Sequence, residues 1–434
     1  ENLTTATPDN HHTTIVVPEG ATAGEVLIKF SAEMEAILDK TMTRSGGRAT
    51  RSGIPSTDEV LDILGAYHFE RVFPVDSRHE ARTRENGLHL WYIVRFDKDE
   101  DLAVAMERLS KLGEVDKLQC NRNIGRAYNP SAEPHFISCA EADASATTRS
   151  TQWPFNDPEL YRQWCYINDG TAPIAQQWAG VVAGADAGCQ EAWKLCTGDE
   201  DIIVAVMDEA VMWSHPDLAD NIWINEGEEY NAGVDADCNG YFDDKYGYNF
   251  VRNTAITSWT SNGSTGHGTH VAGTIAAVND NGKGVAGIAG GGNGKRGVKI
   301  MTIQLFDGYN SCSLAMEARA MKYAADNGAV ILQCSWGYNS AKSNLIMGYT
   351  PGPATEEEWA ALYPLEKEAL DYFINYAGSP NGVIDGGLAI FASGNEYAAQ
   401  SSFPAAYSKC ISVAAIAADY TPASYSNYGS EVLL

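Results

Sequence analysis

Asp208 closes a continuous apolar run, Ile202-Ile203-Val204-Ala205-Val206-Met207. A carboxylate at the end of a buried strand can fix one tautomer of a histidine and stabilise the charged ring during proton transfer. The same residue can equally well cap a turn. An imidazole is offered by Gly266-His267-Gly268-Thr269-His270-Val271-Ala272-Gly273, where small residues at the start of a helical stretch let another element pass close by. His267 and His270 also invite a metal reading, but no third ligand follows at helical spacing and no His-Glu-x-x-His pattern occurs. In Phe391-Ala392-Ser393-Gly394-Asn395-Glu396 an amide follows a short apolar run. It is placed either to donate to a developing oxyanion or to shape a turn.

A second chemistry is written in Gly233-Val234-Asp235-Ala236-Asp237-Cys238-Asn239-Gly240-Tyr241-Phe242-Asp243-Asp244. Oxygen groups at alternating positions around a glycine can wrap a hard cation. Asp235, Asp237, Asn239, Tyr241 through its main-chain carbonyl, and Asp243 or Asp244 form that pattern, and calcium is the expected ion. The bidentate Glu that ends an EF-hand loop is absent, and an acidic solvated turn is the plain alternative. No organic cofactor is expected.

These residues need a frame. From Ile202 onward, apolar runs alternate with amphipathic stretches: strands at 202–207, 297–306, 329–334, 388–392 and 411–415, and helices at 270–278, 314–327 and 365–377. That alternation predicts an α/β fold, a three-layer arrangement around a mostly parallel sheet. In such sheets the working residues stand at the carboxyl ends of strands, where Asp208, Ser335 and Asn395 are placed. Ahead of it, strands near 24–30, 67–72, 88–96 and 115–120 and helices near 32–40, 58–64 and 100–112 predict a small α+β domain. The expected organisation is a loose end at 1–14, an α+β domain at 15–120, an aperiodic polar segment at 121–152 and the α/β domain at 153–434.

Composition narrows the partners. Asp plus Glu number 57 against 30 Lys plus Arg, a formal charge of -27. Residues 1–125 carry 15 basic and 21 acidic side chains, so most of the acidity lies beyond them. Such a surface repels phosphate backbones and anionic lipid, so neither nucleic acid nor a membrane surface is an expected partner. No apolar run is long enough for a transmembrane helix. The chain opens on Glu1 without a signal peptide or initiator Met, which reads as a processed product and does not argue for the cytoplasm. Of nine cysteines, Cys189 and Cys196 are close enough to bridge, and Cys120 and Cys139 can also pair. Cys334, in a predicted buried strand, reads as a small hydrophobe.

Gly266-His267-Gly268-Thr269-His270-Val271-Ala272-Gly273 resembles the histidine motif of the subtilisin-like serine proteases. Asp201 to Asp208 with Ser214-His215-Pro216-Asp217-Leu218, then Leu332-Gln333-Cys334-Ser335-Trp336-Gly337, then Phe391 to Glu396 resemble that family's aspartate, substrate-strand and oxyanion segments, in order. The resemblance implies a secreted or cell-envelope endopeptidase precursor acting on peptides and proteins. It makes Asp208 the triad acid, His267 the general base, Asn395 the oxyanion donor, and Ser335, Trp336 and Gly337 the strand that pairs with substrate. Trp336 further suggests an apolar lining for the pocket. By position, the α+β domain resembles the family's propeptides, an intramolecular partner whose tail, within 121–152, runs through the cleft.

Two departures stand out. Where the family has Ser or Thr and then Gly after its aspartate, this chain has Glu209 and Ala210; Glu209 is expected to point away from the imidazole, since neighbouring strand residues diverge. The family's Gly-Thr-Ser-Met-Ala nucleophile motif is not found. The expectation is therefore a chain truncated before the nucleophile Ser and inactive as it stands. A noncatalytic binding or inhibitory protein that keeps the fold is the alternative.

Overall fold

The computed structural model describes residues 17–126, 153–171, 173, 178–378 and 384–433. Two compact units emerge. One takes the described residues through Arg71 together with Leu90–Arg122; the other takes Val72–His89 and the described residues from Asn123 on. Most of the tail expected at 121–152, and Cys139 with it, lies outside the described residues.

In the first unit β1 (Ala21–Phe30) is followed by α1 (Glu35–Ser45), α2 (Pro55–Ile63) and β2 (His68–Arg71). The chain then passes to the second unit for α3 (Glu80–Glu85) and returns for β3 (Trp91–Arg95), α4 (Leu102–Ser110) and β4 (Val115–Arg122). The four strands form an antiparallel sheet ordered β2-β3-β1-β4. Alternation puts Val26, Ile28 and Phe30 on one face, where they meet Phe69, Tyr92, Leu61 and Leu109 in a shared core. Phe69 and Tyr92 stack with ring centroids 4.6 Å apart. The Asp101 carboxylate accepts the amides of Ala103 and Val104 and so starts α4.

The second unit is built on eight strands. Along the chain come α5 (Cys189–Ala192), β5 (Ile203–Glu209), β6 (Tyr248–Asn249), β7 (Thr254–Ala255) and α6 (His267–Ala276). A two-residue hairpin, β8 (Gly291–Gly292) and β9 (Lys295–Arg296), precedes β10 (Lys299–Asp307), β11 (Asn310–Ser311) and α7 (Leu314–Asp326). Then follow β12 (Ile331–Cys334), α8 (Glu356–Leu362), α9 (Pro364–Tyr376), β13 (Leu388–Ala392) and β14 (Ile411–Val413). The sheet order is β14-β13-β12-β5-β10-β6-β7, with β11 folded back on β10. Its pairings are parallel except at β6–β7 and β10–β11. This is the expected α/β class. Val204, Val206 and Ile300 face Ala272 and Ala276 of α6 in one apolar cluster, which is why β5 opens as an unbroken apolar run and β10 is buried along most of its length.

Some local readings differ. The helix expected from His270 begins at His267, because Gly266 takes a left-handed φ of 75° and turns the chain into the helix one turn earlier. Cys189 and Cys196 are both free, so the bridge considered between them does not form. Cys120 instead packs its thiol 3.0 Å from the Met106 sulfur. Cys334 is buried.

Candidate active site

Three neighbouring strands, β13, β12 and β5, end on the same edge of the sheet, and the candidate residues follow from that order. Asp208 is the penultimate residue of β5 and is buried. Helix α6 delivers His267 to it: Nδ1 stands 2.8 Å from each carboxylate oxygen of Asp208. The close approach depends on Gly268, where a Cβ would sit 2.1 Å from the carbonyl oxygen of Glu209. Burial raises the Asp208 carboxyl above its ordinary value, while the hydrogen bond from His267 works against that rise. The pair can hold the imidazole in one tautomer with Nε2 turned to the other side. His270 is exposed, and neither histidine joins a group of potential metal ligands among the described residues.

Glu209 faces elsewhere. Its carboxylate accepts the amides of Thr265, at 3.0 Å, and His267, at 3.2 Å, along with the Thr265 hydroxyl at 3.3 Å. Arg126 Nη1 lies 3.0 Å from Glu209 Oε1, and both side chains are almost wholly buried. Arg126 also makes an antiparallel bridge to Trp336, and Asn123 makes one to Ser313. Ile124 donates its amide to the Cys312 carbonyl at 3.0 Å. Residues 123–126 are thus bridged at Asn123 to the segment after β11 and at Arg126 to the segment after β12, in the manner of a short added strand. Sequence reading missed Arg126, since a single residue in an aperiodic stretch carries no local signal.

Ser335, Trp336 and Gly337 directly follow β12. With Arg126 bridged to it, Trp336 is 2% exposed; its indole donates to the Met207 carbonyl at 2.9 Å and meets Phe391 edge-on. Asn395 stands exposed just beyond β13. The loop carrying it is shaped by Asn427, buried, whose side-chain oxygen accepts the amides of Glu396 and Ala398 at 3.1 and 2.9 Å and whose amide donates to the Ser393 carbonyl at 3.0 Å. Gly394 in that loop has φ of 111°, and a Cβ there would meet Asn427 Nδ2 at 2.2 Å. Asn427 was not singled out in the sequence, because its partners lie about thirty residues away.

The acidic loop brings Asp235 and Asp237 of the expected ligands together with Glu228, which its spacing did not suggest. Glu228, Asp235 and Asp237 each bring a carboxylate oxygen within 4.8 Å of the others and can hold a metal ion. Glu228 Oε2 is buried without a hydrogen-bond partner, an arrangement that a cation would complete. Asp243 instead accepts the Gly233 amide at 2.8 Å. Asp244 takes the Tyr323 hydroxyl at 2.7 Å and the Asn239 amide at 3.0 Å, and burial pushes its carboxyl up to about 7. The Tyr241 ring packs against Tyr248, Phe250 and Tyr323. A second group able to hold an ion is Asp76, His79 and Asp326. There Asp326 already pairs with Arg82 at 2.8 Å and with Lys322, so its charge is balanced without a metal.

Fold and site together define an α/β protein with a carboxylate–imidazole pair at the carboxyl edge of a parallel sheet. The model of the subtilase family matches residues 199–433, and the chain belongs to that family. That match corrects one expectation. It runs through almost all of the remaining chain, against a truncation before the nucleophile segment, and the inactivity inferred from that truncation falls with it. The expectation leaned on one short motif, whereas the family match weighs the whole stretch. Halolysin of Haloferax mediterranei is 30% identical over 259 residues, 59% of this chain and 38% of halolysin. Thermitase of Thermoactinomyces vulgaris is 28% identical over 242 residues, 56% of this chain and 64% of thermitase. The chain therefore spans less than two thirds of either relative. The crystal structure of fervidolysin from Fervidobacterium pennivorans, described as a keratinolytic enzyme related to subtilisin, shares the fold with a TM-score of 0.51 at 18% identity, over 96% of this chain and 47% of that one.

Proposed function

We propose that the protein is a serine endopeptidase, secreted or held at the cell envelope, that cleaves peptides and proteins through an acyl-enzyme. The observation that carries this reading is the 2.8 Å pairing of His267 Nδ1 with the buried Asp208 carboxylate in a chain of the subtilase family. His267 takes the proton of the attacking serine hydroxyl as the oxygen bonds to the substrate carbonyl. Asp208 holds the ring in place and stabilises its charge. Asn395 donates to the oxyanion. When the C–N bond breaks, His267 returns the proton to the leaving amine, and then accepts one from the water that hydrolyses the ester. The backbone of Ser335-Trp336-Gly337 pairs with the substrate as an added strand. No helix among the described residues is long and apolar enough to cross a membrane.

Calcium is the ion proposed for Glu228, Asp235 and Asp237. An all-oxygen set suits a hard cation, which would offset the mutual repulsion of three carboxylates. The N-terminal unit is proposed as an intramolecular propeptide, with residues 121–152 as its tail; the strand formed by residues 123–126 supports this.

A fluorophosphonate probe tests the reading on protein expressed from the whole reading frame. One serine should be labelled, peptide mapping should identify it, and His267→Ala should abolish both labelling and peptide hydrolysis. Absence of labelling and hydrolysis in correctly folded, processed protein would overturn it.

A further inference from the structure

The backbone bonds that hold residues 123–126 are indifferent to sequence, since amides and carbonyls are common to every residue. The Arg126 side chain is different. Its Nη1 lies 3.0 Å from Glu209 Oε1, and its Nη2 donates to the carbonyl of Gly308 and, at 3.3 Å, to that of Asn310. Its Cζ stands 4.9 Å from the centroid of the Phe306 ring. Only 8% of the Arg126 side chain and 2% of that of Glu209 remain exposed. One carboxylate, two carbonyls and one ring face therefore surround a planar cation that carries five N–H donors.

Glu209 does not depend on Arg126 for its position. The Thr265 amide and hydroxyl and the His267 amide, all at the start of α6, fix its carboxylate. That makes the acceptor preorganised, and it sits one residue from Asp208, whose carboxylate meets the other end of His267. A lysine would bring a single point charge. It could not engage the carboxylate, both carbonyls and the ring at once, so the arrangement discriminates between the two cations as well as against neutral side chains.

We infer that Glu209, the carbonyls of Gly308 and Asn310, and Phe306 form a guanidinium-selective subsite beside the Asp208–His267 pair, and that Arg126 occupies it as a stand-in for an arginine of the substrate. The inference rests on the proposed peptidase activity, because it takes the added strand at residues 123–126 as an image of bound peptide. Glu209 is then a specificity-determining residue. It explains why a carboxylate stands directly after the candidate triad acid: it is turned to the ligand, not to the imidazole.

Two measurements test it, one of them independent of turnover. In the full chain, Arg126→Ala leaves a guanidinium-shaped gap. Millimolar methylguanidine should then raise the melting temperature of this variant, methylamine at the same concentration should not, and the rise should vanish in Arg126→Ala/Glu209→Gln. Equal shifts from both cations, or none, would overturn the subsite. In the processed enzyme, a peptide library varied at each position before the scissile bond should show one position where arginine exceeds lysine in kcat/KM by about tenfold or more, as expected where a planar guanidinium that reaches a carboxylate, two carbonyls and a ring is replaced by a single point charge. Glu209→Gln should collapse that ratio toward one. Flat preference in an active enzyme would overturn the substrate role. An enzyme inactive on every peptide would count against the peptidase reading, and the methylguanidine result would still decide whether the subsite exists.

Discussion

Asp208 and Glu209 are adjacent carboxylates with opposite surroundings. One meets an imidazole side chain, the other backbone amides and an arginine. Asp208→Asn should therefore leave the melting temperature nearly unchanged, since the isosteric amide still fills the space. It should lower kcat by about four orders of magnitude, since the amide favours the wrong histidine tautomer. A loss of less than tenfold, measured by steady-state hydrolysis, would remove Asp208 from the role assigned to it. Asp208 and His267 could be read from the sequence because the motifs around them are contiguous. The partners of Glu209 could not, because Thr265 and Arg126 lie 56 and 83 residues away. A sequence shows that a charge is present beside an acid, but the direction it faces is set by what the folded chain brings to it.

Helix α9 shows how charge is used to hold an element in place. Asp371 on this helix accepts Lys367 at 2.7 Å, and Tyr407 and Lys409, from the segment before β14, at 2.5 and 3.0 Å. Burial alone would raise its carboxyl, but these three donors outweigh burial and hold it below the ordinary value. A carboxyl depressed in the folded state contributes stability above its unfolded value and loses it as pH falls through the folded one. Asp371→Asn should thus lower the melting temperature at neutral pH, and the gap from wild type should close on acidification. A gap that is constant with pH would show that the hydrogen bonds, and not the charge, matter there. In the loop after β13, Gly394→Ala should cost activity more than stability. A Cβ would meet Asn427 at 2.2 Å and displace the loop that carries Asn395, while the apolar core beneath is untouched. Unchanged kcat in that variant would separate the loop from catalysis. Long elements such as β5, β10, α7 and α9 were legible because apolar runs and helical spacing persist over many residues. The two-residue strands β6, β7 and β11 were not, since two residues define no period.

Across the whole molecule, ordering should depend on a cation and activity on release of the N-terminal unit. An ion that binds only the folded chain stabilises it by roughly 3 kcal/mol when free calcium exceeds its Kd a hundredfold. Chelation should therefore lower the melting temperature by several degrees, and Glu228→Gln should shrink that response. Identical melts in excess chelator and excess calcium would remove the ion from the loop. The strand at residues 123–126 ties the second dependence to geometry. It satisfies backbone groups at Cys312, Ser313 and Trp336 and places Arg126 against Glu209, so a peptide cannot occupy the same positions while it remains. The uncut precursor should be folded yet nearly inactive, and cleavage after Arg126, within residues 127–152, should release activity. The N-terminal unit has its own sheet and core, so residues 1–126 added back to processed enzyme should inhibit it. Ending that polypeptide at Arg122 removes the added strand and its buried cation. Inhibition should then weaken by about tenfold to a hundredfold, the range expected when one partner of a desolvated charge pair is lost. Equal potency of the long and short forms would place inhibition elsewhere on the unit. Full activity of the uncut precursor would remove the inhibitory role altogether while leaving the unit a possible aid to folding, a distinction that refolding yield with and without residues 1–126 would measure.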